Sequence, residues 1–121
     1  MTALPFSSRR IVLVIDDYDI LSSGGTNILS PIVPHLPSAR DLRLNVVLAR
    51  PTAGASHAMY DPVLLALRDN GGTGFLMDGD RHEGALLGGT RPARMPPGRG
   101  SWVQRGRRPR IAQAACFSPE A

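Results

Sequence analysis

Lysine is absent from this chain: all 14 of its basic residues are arginine. That absence has one hard chemical consequence. The phosphate-binding loop G-x-x-x-x-G-K-[ST] uses its lysine to reach the β- and γ-phosphates of a nucleoside triphosphate. No standard loop of that kind lies in this sequence, and no stretch has its glycine spacing. Cysteine is nearly absent too. The single Cys116 excludes an internal disulfide framework and any multi-cysteine metal site, and a reducing, intracellular compartment is the natural reading. No apolar run approaches the ~18 residues of a membrane-spanning helix. Met1 to Ser8 lack the basic and apolar regions of a secretory signal. Aromatic residues are only 5% of the chain, so its core must be built mostly from Leu, Val, Ile and Ala. His35, His57 and His82 fall at no metal-ligand spacing, and Ser56-His57 has no placed acid partner for a catalytic triad.

What is present begins with Ile11-Val12-Leu13-Val14-Ile15-Asp16-Asp17-Tyr18-Asp19. Five aliphatic residues, four of them β-branched, run into two adjacent carboxylates. A continuous apolar run of this kind predicts a central strand of a parallel sheet, covered on both faces. Open α/β sheets place their chemistry beyond the carboxyl ends of such strands. Two acids there can hold a hydrated Mg²⁺ and orient a water, the Walker B arrangement of P-loop ATPases. They can equally cap the turn after a buried strand, and spacing alone does not choose. At 121 residues with 42% hydrophobic content, the chain suits one domain that buries roughly two thirds of its unfolded surface.

Along the chain, residues 1–8 read as an unstructured leader and 22–27 as a flexible loop. Ile28, Leu29, Ile32, Val33 and Leu36 recur at helical spacing, with Ser30 as N-cap, Pro31 at the first helical position and an end near Pro37 or Arg40. Leu44 to Ala49 predicts a second buried strand. A helix follows from about Ala58 to Arg68, with Val63, Leu64 and Leu67 on its apolar face, stopped by Asn70-Gly71-Gly72. Phe75 to Met77 predicts a short third strand, and Glu83 to Leu87 one helical turn. After an extended loop at 90–100, Ser101–Gln104 and Arg110–Ala115 pair as strands across Arg105-Gly106-Arg107, and Trp102 anchors the core or an edge strand. The order argues an α/β fold with a mainly parallel sheet and an antiparallel β edge at the C-terminal end. The net charge of +4 comes mainly from Arg99, Arg105, Arg107, Arg108 and Arg110. Such a cluster can bind nucleic acid or acidic lipid, but a solvated basic chain end is the commoner outcome.

An ordered series of segments resembles a known family. Ile11–Asp19 is followed by Leu29-Ser30-Pro31, Leu36-Pro37-Ser38-Ala39-Arg40-Asp41-Leu42 and Val46-Val47-Leu48-Ala49-Arg50. Tyr60-Asp61-Pro62-Val63, Leu67-Arg68-Asp69, Glu83-Gly84-Ala85-Leu86-Leu87-Gly88 and Pro96-Pro97-Gly98-Arg99-Gly100 continue it. The series is similar to the FtsK/SpoIIIE-type ATPases of type VII secretion, and more closely to the last ATPase module of the EccC-type motor. The resemblance spans roughly residues 9–115, leaving 1–8 and 116–121 as leader and tail.

The resemblance implies a partial RecA-like P-loop NTPase fold, entered at Walker B and cut off from its phosphate cradle. It gives Asp16 the Mg²⁺-side role, Asp17 the place of the water-orienting carboxylate, where many relatives carry Glu, and Arg50 the place of a γ-phosphate sensor. From the residues alone, Arg50 can equally form a salt bridge to Asp16 or Asp17. Asp19 is expected to cap locally. Where the DNA-translocating branch carries an arginine acting on a neighbouring subunit, this chain has Gly74, and Arg68 reads as a helix C-terminal cation. The implied cofactors are ATP and Mg²⁺. The implied partners are other ATPase modules or subunits of the motor and small helical-hairpin secreted proteins, with the membrane reached only through the complex, at its cytoplasmic face. The isolated chain is expected to be inactive. A non-hydrolytic module that binds the C-terminal signal of secreted substrates is the alternative function. Nucleic-acid binding ranks last, because the arginine tail has no interleaved aromatics.

Overall fold

A computed structural model describes residues 9–22 and 27–115. The expected leader, most of the loop at 22–27, Cys116 and the end of the tail lie outside the described residues. The chain divides into two compact units, Met1–Arg50 and Pro51–Ala121.

In the first unit, the apolar runs form β1 (Ile11–Ile15) and β2 (Leu44–Leu48), paired in parallel with Leu13 beside Val46 and Ile15 beside Leu48. The two strands are where the sequence places them. Their covering is not. Leu13, Ile15, Leu44, Val46 and Leu48 share one half-buried face. On the opposite face Val12, Val14 and Val47 are 55%, 66% and 52% exposed. The expected burial on both faces is thus corrected, because the Val12, Val14 and Val47 face is left uncovered by the described residues.

Between the strands, the expected α-helix is largely a 3₁₀ helix, Ser30–Ser38, followed by a single α-turn, α2 (Ala39–Leu42), which packs against β2. Pro31, Pro34 and Pro37 explain the change. Each lacks an N–H, and a repeat of three residues per turn lines the missing donors along one edge. Ser30 is inside the helix; Leu29 holds the cap position, without a side-chain cap. A short helix, α1 (Tyr18–Ser22), follows the acid pair.

The second unit carries an antiparallel sheet of β3 (Gly74–Leu76), β4 (Arg99–Val103) and β5 (Arg110–Gln113), in the order β3-β4-β5. The antiparallel element at the C-terminal end is therefore a sheet of its own. Phe75 lies opposite Trp102, with ring centroids 6.0 Å apart. The helix expected from about Ala58 to Arg68 is α4 (Pro62–Asp69), and a separate helical turn, α3 (Ala55–Ala58), precedes it. Asp61 separates them because its carboxylate accepts the N–H groups of Val63 and Leu64, both at 3.1 Å, and Pro62 takes the first helical position. Ala55, Leu76 and Leu86 form a buried cluster with Met59 and Leu87 against it. The expected turn at Glu83–Leu87 is displaced to a 3₁₀ turn, Arg81–Glu83, because Asp80 caps the N–H of His82 at 2.8 Å and Gly84 ends it at φ 86°.

Candidate functional site

Asp16 and Asp17 directly follow the last residue of β1, and both are exposed. Asp16 Oδ1 accepts the N–H of Asp17 at 3.0 Å. Asp17 itself is left-handed, at φ 50°, a conformation that Asp tolerates better than most residues. That reversal sends the chain back to the neighbouring strand. Ala49 N–H donates to the Ile15 carbonyl at 2.9 Å, and Tyr18 N–H donates to the Ala49 carbonyl at 2.8 Å. One backbone bond on each side of the acid pair thus fastens it to the exit of β2, where Arg50 is half-buried. The fold brings Asp16, Asp17 and Arg50 to the same, carboxyl end of the parallel sheet.

The turn is supported from behind by Tyr18, which is 0% exposed. Asn27 donates through Nδ2 to the Tyr18 hydroxyl, and its Oδ1 accepts the N–H of Leu29 at 2.9 Å. Tyr18 is a site-supporting residue that hydrophobic patterning misses, since it stands among acids beyond the apolar run. The only signal for it was an aromatic residue in a chain with few.

Asp19 departs from expectation. Instead of capping, it leaves Oδ1 buried with no hydrogen-bond partner, and its backbone carbonyl accepts from Ser22 Oγ at 3.3 Å. A buried oxygen with open lone pairs is a group that a cation or water would satisfy. Asp16 spends one oxygen on a single local N–H. Asp16 and Asp17 thus leave carboxylate oxygens exposed at the end of the sheet, but no metal cluster is built there: among the described residues no group of three or more His, Cys, Asp and Glu could hold a metal ion. Nor does the chain hold a lysine to grip a phosphate. Elsewhere, ion pairs join Arg68 to Asp69 and Arg94 to Asp78.

In the second unit, Arg68 lies in the last turn of α4, with Asp69 at 3.6 Å and both side chains exposed. Gly74 opens β3. Glu83 is the carboxylate with the clearest structural task. Its Oε1 accepts the N–H of Gly54 at 3.0 Å, and its Oε2 accepts from Ser56 Oγ at 3.2 Å. The Gly54 bond, helped by Ser56 and opposed by partial desolvation, holds Glu83 below the usual glutamate range.

No family model matches the chain. Its sequence is 42% identical over 114 residues to the ESX-4 secretion system protein EccC4 of Mycobacterium tuberculosis, covering 94% of this chain and 9% of that protein. It is 36% identical over 110 residues to the ESX secretion system protein EccC of Thermomonospora curvata, covering 91% of this chain and 8% of that one. The fold matches the solved cytoplasmic domain of the T. curvata type VII secretion ATPase EccC with a TM-score of 0.83, at 36% identity over 90% of this chain and 13% of the other. A structure of T. curvata EccC ATPases 2 and 3 in complex with a signal sequence peptide matches equally, with a TM-score of 0.83, 36% identity, and coverage of 90% of this chain and 20% of that one. The chain spans less than a tenth of the length of these two full-length relatives.

Proposed function

The chain belongs to the EccC family of type VII secretion ATPases, and from that membership we propose that it is the Walker B part of a motor module, inactive alone. The observation that carries this reading is the acid pair Asp16-Asp17, clamped between the ends of two parallel strands in a chain without lysine. The Asp16 carboxylate would hold the Mg²⁺ of the site. In a completed site Asp17 would orient the attacking water, and Arg50 would offer positive charge toward the transferred phosphoryl group. Hydrolysis of Mg²⁺-bound ATP in such a completed site would supply the free energy for protein export. Positioning and electrostatics provide nearly all catalysis of such transfers. A site without its phosphate cradle therefore holds two carboxylates and a cation with nothing to act on.

The partner that completes the site is a strand–loop–helix segment carrying G-x-x-x-x-G-K-[ST]. The exposed Val12, Val14 and Val47 support the need for such a partner. The test mixes the purified chain with a P-loop-bearing segment of an EccC module. ATP turnover by the mixture, lost in Asp17→Asn, is the expected result; no turnover at any ratio contradicts the reading.

A second reading rests on a separate observation, the similarity to EccC ATPases 2 and 3 solved with a signal sequence peptide. On this reading the chain contributes to recognition of the carboxyl-terminal signal of a secreted substrate, with no need for hydrolysis. Titration with such a tail peptide gives saturable binding if so, and none at high micromolar concentration if not.

A further inference from the structure

Charge in the unit Met1–Arg50 is biased between the ends of its sheet, with Asp41 on α2 and Arg50 after β2 as the exceptions. Asp16, Asp17 and Asp19 follow the carboxyl end of β1, whereas Arg9 and Arg10 precede its first residue and Arg43 precedes β2. At the amino end lies a cleft of about 400 Å³ lined by Arg10, Ala39, Arg40, Arg43, Leu44 and Asn45. Three of these six residues are arginine and none is acidic. A five-residue strand separates the cleft from the acid pair, roughly 16 Å at the rise of a β-strand. The cleft is therefore no part of the site described above.

Two features set it apart from a run of solvated arginines. Arg10 Nη1 donates to Asn45 Oδ1 at 3.3 Å, which holds one guanidinium over the start of β2. Arg43 is left-handed at φ 55°, one of two non-glycine residues with positive φ among those described. Its N–H closes α2 on the carbonyls of Ala39 and Arg40, and its own carbonyl accepts the N–H of Ile11 at 2.9 Å. Glycine would make this reversal without steric cost, and an arginine does not. Backbone strain at a cleft directs attention to what the side chain does there.

From the three arginines that line it we infer that this cleft binds a phosphate group. Guanidinium groups match phosphate oxygens two bonds at a time, and arginine serves where planar recognition of phosphate is needed. The volume falls in the range of about 300–1,000 Å³ typical of small-molecule sites, so there is room for an ester around the phosphate. The same chemistry serves a soluble phosphate ester and the headgroup of an anionic lipid.

The experiment has two arms. Inorganic phosphate is titrated with the full chain and followed by phosphorus NMR line broadening. In parallel, the chain is sedimented with phosphatidylcholine vesicles containing phosphatidylglycerol, against pure phosphatidylcholine. Binding in either arm is expected to weaken about tenfold in Arg40→Gln and in Arg43→Gly, the loss of one charge-assisted partner. Arg43→Gly suits the left-handed position and leaves the turn intact. Arg107→Gln with Arg108→Gln, in the β4–β5 connection, is expected to change nothing. Broadening by free phosphate identifies a soluble ester as the ligand; binding only to phosphatidylglycerol vesicles identifies a headgroup. No binding in both arms overturns the inference. So does binding that survives both cleft variants, an adventitious ion only, or that falls equally in the tail variant.

Discussion

Asp17 carries two duties, and they separate by substitution. Its left-handed backbone turns the chain so that Tyr18 reaches Ala49; its carboxylate faces solvent beside Asp16. Asn tolerates this conformation and Ala does not, at roughly 1 kcal/mol or more. Asp17→Asn is therefore expected to unfold in denaturant at the wild-type midpoint, and Asp17→Ala at a lower one by about that free energy. Equal midpoints for the two variants would remove the backbone duty. Asp61→Ala deletes a cap with two backbone partners and is expected to cost about 1 kcal/mol in the same measurement. Gly100 explains part of the Pro96–Gly100 motif: a Cβ there would sit 2.5 Å from the Leu76 carbonyl oxygen. The turn before it has Arg99 N–H donating to the Pro96 carbonyl at 3.1 Å, with Gly98 at φ 79°, which is what Pro-Gly at its centre provides. Gly100→Ala should disrupt the pairing of β3 with β4, read as lost amide protection across Gly74–Leu76.

Glu83 ties the loop before α3 to the turn at Arg81–Glu83. Its carboxyl is held below its ordinary range in the folded chain. The stabilisation is thus fully present above the unfolded-state pKa and is lost as pH falls through the folded value. Wild type is expected to lose stability on acidification from the ordinary glutamate range downward, and Glu83→Gln to lose less over that window. Parallel pH profiles for the two would refute the role.

At the scale of elements, β1 and β2 were legible because both runs are short and rich in β-branched residues, interrupted only by Asn45 in β2; such a run suits a strand and is too short for a helix. The acids were legible for a related reason, since carboxylates at the end of such a run stand out. Helices were read less well. The spacing of Ile28 to Leu36 fits an α-helix, but backbone donors missing at Pro31, Pro34 and Pro37 decide for 3₁₀ geometry. The break before α4 was written in Asp61-Pro62, a cap followed by a first-turn proline, and apolar periodicity passes over it. β3 begins at Gly74, one residue before the run Phe75–Met77, because its pairing with Val103 and not its hydrophobicity sets the boundary. Tyr18 and the buried oxygen of Asp19 depend on tertiary packing, so no local pattern announces them.

For the molecule as a whole, the apolar run and its covering disagree, and this is informative. Parallel strands are normally buried on both faces, yet Val12, Val14 and Val47 lie open in a chain less than a tenth the length of its full-length EccC relatives. An uncovered aliphatic face with open strand edges favours self-association. Replacing Val12 and Val14 together by threonine is expected to slow the growth of light scattering by the concentrated chain; faster or unchanged growth would place the sticky surface elsewhere. No helix among the described residues is long and apolar enough to cross a membrane.

The central claim is that Asp16 and Asp17 form half of a nucleotide site. ATP turnover by the purified 121-residue chain, with Mg²⁺ and no added protein, tests it most directly. The account predicts a rate indistinguishable from buffer and unchanged in Asp17→Asn. Turnover above background that Asp17→Asn abolishes would contradict it, because the chain would then hold a complete site without a lysine.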